Sequence, residues 1–180
     1  MKKIGLFLAL TMLSLSVSLN GYCAKEGGVS EPEALLHSAF DSLTKGDIPA
    51  AKGYYNRMIA ININNALAYD GLGNCYLREG NTVKAIEYFN KAITIDPKMF
   101  QSYDGLGNCY LQTDLGKSKE YYKKSIAANN KDPWACFHLG SVYSREKNKA
   151  DALQQLKILT TLGNRNLEEQ LRKEIARDNP

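Results

Sequence analysis

The chain has 180 residues, 44% of them hydrophobic and 23% charged, the make-up of a folded protein and not of a disordered one. That length allows one ordinary domain or one short array of repeats. The formal charge is +4, from 23 Lys and Arg against 19 Asp and Glu; without Lys2 and Lys3, which lie in a terminus expected to be removed, it is +2. So small an excess excludes nucleic acid or an anionic membrane surface as a partner selected by charge.

The N-terminus begins Met1-Lys2-Lys3 and continues through sixteen residues, Ile4 to Leu19, rich in Leu, Ile, Phe, Val and Ala. No charge occurs between Lys3 and Lys25. A basic start, a short apolar stretch and then small polar residues form the pattern of a secretory signal peptide. The apolar run, broken by Ser14, Ser16 and Ser18, falls short of the ~20 residues needed to span a bilayer. Residues 1–24 are therefore expected to be an export signal and 25–31 a flexible tether, with the mature chain in a periplasm or cell envelope. Cleavage after Ala24 and after Gly21 are both open. Leu19-Asn20-Gly21-Tyr22-Cys23 also faintly resembles a bacterial lipobox, which would make Cys23 a lipidated N-terminus and bring the chain to a membrane. Tyr22 stands where that motif takes Gly, Ala or Ser.

An internal repeat organises the rest. Tyr69-Asp70-Gly71-Leu72-Gly73-Asn74-Cys75-Tyr76-Leu77 recurs letter for letter at Tyr103 to Leu111, an offset of 34 residues. Such a period signals stacked helical or propeller-like units. Within residues 66–99, Tyr69, Leu72, Gly73 and Tyr76 are followed by Gly80, Ala85, Phe89, Ala92 and Pro97. This arrangement resembles the tetratricopeptide repeat (TPR) family, whose pattern is W-x2-L-G-x2-Y…A-x3-F…P. The same register gives units over 32–65, 66–99, 100–132 and 133–166, the third one residue short. The resemblance implies an all-α, right-handed α-solenoid of about four helix pairs, each an A helix and a B helix. Gly46 and Gly80 are expected in the A–B turns. Gly73, Gly107, Gly140 and Ala39 are expected where the A helix approaches the B helix. Leu167, Leu171 and Ile175 recur every four residues between charged positions, so residues 167–180 are expected to form a capping helix and tail.

No constellation suits catalysis, a cofactor or a metal. Cys75 and Cys109 occupy equivalent positions of adjacent A helices, ~8–10 Å apart, whereas a disulfide requires Cα atoms within about 6.8 Å. They are expected to be small buried residues, and no closely spaced Cys/His cluster offers a metal site. His37 and His138 lie three stacking steps apart, too far to share a metal or a proton. The Gly71-Leu72-Gly73 and Gly105-Leu106-Gly107 pairs lack the third glycine and preceding strand of a dinucleotide loop. Asp70 and Asp104, one stacking step apart, make no convincing catalytic pair.

A binding face remains. The resemblance implies that A helices line a concave groove, where residues four apart share one helix face. Unit two then offers Asp70, Asn74 and Arg78; unit three Asp104, Asn108 and Gln112; unit four Trp134, Phe137 and Arg145. The amides suit an extended peptide backbone, and the carboxylates a Lys or Arg side chain. Leu36, Phe40 and Gly105 replace residues of the basic clamp by which chaperone-binding members hold an acidic tail. Lys117, Lys119, Lys123 and Lys124 read as a solvated outer face. The expected function is a non-enzymatic scaffold holding a peptide or partner protein. The alternative is a self-associating assembly lipoprotein anchored through Cys23.

Overall fold

The computed structural model describes residues 30–178, so the expected signal, Cys23 and most of the tether lie outside the described residues. Contacts divide the chain between Ala34 and Leu35, and the packing below is that within Leu35–Pro180. The described residues form nine α-helices and no strand. In chain order they are α1 (Glu31–Thr44), α2 (Ile48–Ile61), α3 (Ala66–Arg78), α4 (Thr82–Ile95), α5 (Phe100–Tyr110), α6 (Leu115–Ala128), α7 (Pro133–Arg145), α8 (Lys149–Leu162) and α9 (Arg165–Asp178).

The helices begin where an Asp or Asn side chain can take an orphan amide. Asp47, Asn65, Asn81, Asp114, Asp132, Asn148 and Asn164 each accept a backbone N–H from the first turn of the following helix. Each such cap contributes about 1 kcal/mol. The tight turns follow from backbone geometry. Gly46 and Gly80 adopt φ of 78° and 77°, a left-handed conformation that glycine enters without steric cost. In the fourth pair Lys147 occupies that conformation instead, with φ of 61°.

Helix pairs stack as an all-α solenoid, with α1, α3, α5, α7 and α9 adjacent in succession and the B helices α2, α4, α6 and α8 behind them. The core sits where B-helix aromatic rings meet A-helix glycines. Phe89 is wholly buried. A Cβ on Gly73, in its own pair, would lie 2.6 Å from the Phe89 ring, and one on Gly105, in the next, 2.4 Å. One aromatic ring therefore binds two successive units, and only glycine leaves room for it. Tyr55 fills the same space against Gly71, and Tyr122 against Gly107. Gly140 departs from the expectation: its nearest neighbour is Leu171 of α9, 2.5 Å from a would-be Cβ, with Gln155 Cβ at 3.2 Å. Helix α9 buries Leu167, Leu171 and Ile175 against the fourth pair and turns its charged side outward. Cys75, Cys109 and Cys136 are buried and unpaired.

The lysines of α6 are more than a solvated face. Lys117 lies over the Tyr110 ring, Lys124 over Tyr121, and Lys119 and Lys123 over Tyr143. Lys119 also bridges to Glu146, as Lys52 does to Glu79, tying a B helix to the end of the next A helix. Cation–π geometry of this kind anchors the stems of these side chains on the Tyr rings.

Candidate functional site: the face formed by the A helices

Side-chain hydrogen bonds join the A helices at every step. Arg78 Nη1 of α3 donates to the Leu43 carbonyl of α1 at 2.9 Å. Ser102 Oγ of α5 donates to Asp70 Oδ1 of α3 at 2.6 Å. His138 Nδ1 of α7 lies 3.2 Å from Asp104 Oδ1 of α5. Ser141 and Ser144 of α7 donate to Glu174 and Asp178 of α9.

This lacing alters several expected roles. Asp70 does not present its carboxylate to a ligand: it is 6% exposed, and Ser102 and Asn74 occupy its oxygens. Burial pushes its carboxyl up to about 6, with the hydrogen bonds opposing the shift and the Asp104 charge adding to it. Asn74 spends its amide nitrogen on the Asp70 carbonyl and carboxylate, and Asn108 Oδ1 accepts the Tyr122 hydroxyl at 2.8 Å. Both amides are thus partly committed within the fold rather than wholly available to a peptide. Gln112 is exposed but lies beyond α5, which ends at Tyr110, so it does not continue the Asp104–Asn108 face of the helix. Arg78 and Arg145 are exposed and each donates to a backbone carbonyl, of Leu43 and Leu111 respectively.

The remaining expected residues gather at the fourth pair. Trp134 is 53% exposed, its ring edge-on to Phe137 at 6.4 Å between centroids. His138 joins the group, with its ring 6.0 Å from Trp134, 5.6 Å from Phe137 and 5.2 Å from Tyr122. Asp104 and Asp132 flank this cluster. Burial raises the Asp132 carboxyl, and the Asp104 charge pushes in the same direction. The described side-chain partner of Asp104 is the His138 imidazole, and no Lys or Arg offsets Asp70 or Asp132. Beside the aromatic group lies a cavity of about 310 Å³ with an apolar wall of Leu111, Tyr122 and Phe137 and with Arg145, Glu174 and Arg177 on its polar side.

His138 is the residue the sequence pattern undervalued. It stands where the two preceding units have Gly71 and Gly105, and that break in an otherwise repeated glycine was the available signal. Among the described residues no group of three or more His, Cys, Asp or Glu side chains could hold a metal ion.

Residues 66–99 match the family model of the tetratricopeptide repeat, and the fold around them is the corresponding helical solenoid. Residues 66–99 are a tetratricopeptide repeat, and the described helices around them share the fold of solved TPR arrays. Solved structures resemble the chain over 62–82% of its length. A MamA crystal structure is 20% identical, covering 82% of this chain and 90% of that one with a TM-score of 0.60. TTC0263, a thermophilic TPR protein of Thermus thermophilus, is 18% identical over 82% and 80% of the two chains, with a TM-score of 0.68. The first TPR of Spaghetti (RPAP3), solved bound to the HSP90 peptide SRMEEVD, is 15% identical over 62% and 90%, with a TM-score of 0.57. At these identities the likeness concerns the TPR fold. No curated protein matches the chain in sequence.

Proposed function

We propose that the A-helix face is a non-catalytic binding groove for a segment of a partner protein that presents a Lys or Arg side chain, and that the protein works in a bacterial envelope after export. The observation that carries this reading is the pairing of Asp104 and Asp132, unopposed by any described Lys or Arg, with the half-exposed Trp134 beside them. Carboxylates next to an exposed aromatic ring suit a basic side chain by charge and by cation–π contact. The TPR structure solved with a peptide, that of RPAP3, supports the use of such a fold for peptide capture.

Trp134 is the single tryptophan of the chain, so its fluorescence reports on this site directly. A blocked peptide containing Lys is expected to change that emission saturably, and Asp104→Asn to weaken the effect about tenfold. Equal binding by Asp104→Asn and the parent protein overturns the basic-ligand reading. Export is tested by the intact mass of the protein from its native cell: an N-terminus between Tyr22 and Lys25 supports it, and retention of Met1 refutes it. A lipid-sized increment on Cys23 would identify the anchored form.

Exposed Ile61 and Ile63, at the end of α2, favour a second reading in which copies of the chain associate. A strict monomer by light scattering at high concentration removes it.

A further inference from the structure

The cavity lined by Phe137 and His138 holds a charge that the proposed acidic site does not use. Among its charged groups, Glu174 accepts the Ser141 hydroxyl at 2.5 Å, and Arg177 is paired with both oxygens of Asp178. His138 faces Asp104. Arg145 differs from these: its described partner is the neutral Leu111 carbonyl, at 3.3 Å, and no described carboxylate meets it. An exposed guanidinium held by one of its five N–H groups keeps others for a ligand. The wall beneath it is apolar, built by Leu111, Tyr122 and Phe137.

Spacing connects this cavity to the acidic site. His138, which touches Asp104, and Arg145 are seven residues apart on α7, which places them about 10 Å apart along the helix at 1.5 Å per residue. An extended chain covers that distance in about three residues. We propose that the groove reads a short internal sequence of its partner: a basic residue at Asp104 and Asp132, a large apolar residue in the cavity, and an Asp or Glu that pairs with Arg145, all within about four positions. The inference rests on the basic-ligand reading above and adds to it the apolar and acidic determinants. Because Arg145 is exposed at the cavity rim, a through-running segment can reach it, and the acidic group is assigned to a side chain instead of a chain terminus.

The test uses blocked tetrapeptides and Trp134 emission on the full chain. Acetyl-Lys-Ala-Phe-Glu-amide is expected to bind about tenfold more tightly than the same peptide ending in Gln or carrying Ala for Phe. Arg145→Gln, verified as folded by its helical circular dichroism, is expected to erase the preference for Glu over Gln while leaving the requirement for Lys. Equal affinity for the Glu and Gln peptides overturns the proposal even where Lys-dependent binding persists, which separates its failure from that of the basic-ligand reading. Persistence of the Glu preference in Arg145→Gln also overturns it. So does tighter binding by acetyl-Lys-Ala-Phe with a free C-terminus, which would make the chain end the source of the carboxylate. Emission that changes with protein concentration and with none of the peptides would mark a second copy as the occupant and overturn both readings.

Discussion

Ser102 Oγ donates to Asp70 Oδ1 at 2.6 Å across the junction of α5 and α3, and both residues are buried. Asp104, in the same nine-residue string one unit later, meets His138 instead and stays closer to the surface. Identical local sequence thus produces a carboxylate buried on a serine hydroxyl in one unit and a partly exposed carboxylate facing an imidazole in the next. The difference comes from the following A helix, which offers Ser102 and Gly105 to the first, and Ala135 and His138 to the second.

Ser102→Ala should destabilise the fold by ~1–3 kcal/mol, because it removes a donor from a buried carboxylate. The shortfall would appear as a lower urea midpoint at pH 7.5, with binding by the Asp104 site retained.

Asp70 also imposes a pH dependence. Its folded value, about 6, lies above the ordinary 3.8, so between those limits the folded chain holds the extra proton. Its contribution to stability therefore falls as pH rises through that interval, and the penalty is fully present above about 6. Asp70→Asn keeps an oxygen for Ser102, while Asn74 can turn its own oxygen toward the new amide. This variant should be more stable than the parent at pH 7.5 and gain little near pH 4. Urea titrations across that range check the sign.

Two glycine substitutions should act in opposite directions. Gly105→Ala drives a methyl to 2.4 Å from Phe89 Cζ inside the core and should cost ~1–3 kcal/mol. Gly53→Ala, on the exposed side of α2 with nothing within 4 Å, should add ~0.5–1 kcal/mol through helix propensity. Paired thermal melts decide this directly.

Lys147 occupies a left-handed turn position that glycine fills in the first two pairs. Lys147→Gly should raise stability by ~0.5–1 kcal/mol, despite losing the Lys147 hydrogen bond to the Asp178 carbonyl at an exposed position. A higher urea midpoint is the expected reading.

Gln155 Oε1 is buried with no hydrogen-bond partner in the fold. Gln155→Met retains the length of the side chain and removes the unsatisfied oxygen, so it should stabilise the fourth pair by about 1 kcal/mol. The melting temperature should rise, and the Trp134 emission of the unliganded protein should stay the same.

Much of the repeat was legible because its determinants are local or periodic. The 34-residue self-match, the Gly46 and Gly80 turns, and the Gly73 and Gly107 contacts with helix-B aromatics all follow from positions within a unit. Gly71 and Gly105 carry the same logic to the neighbouring unit, since the ring behind each belongs to the preceding B helix. The register was less informative where units differ. It did not distinguish Asp70 from Asp104, placed Gln112 on a helix that ends at Tyr110, and said of His138 only that it lies too far from His37 to share a metal or a proton. It read the lysines of α6 as a solvated face, and Lys117, Lys123 and Lys124 are exposed, but it did not reveal the Tyr110, Tyr143 and Tyr121 rings beneath them. Each of these outcomes depends on which side chain arrives from another helix.

In the folded chain the small basic excess of these 180 residues takes on a spatial arrangement. By itself the sequence determined that the chain folds as stacked helix pairs, because glycine, alanine and aromatic residues recur at the period one pair requires. Only the tertiary structure decided where charge remains available: Asp70 is consumed by Ser102, Asp104 faces His138, and Arg145 is left with a carbonyl. The physical reason is that a repeat pattern prescribes backbone packing, whereas the fate of a charged group depends on its partners from the next unit and on its access to water.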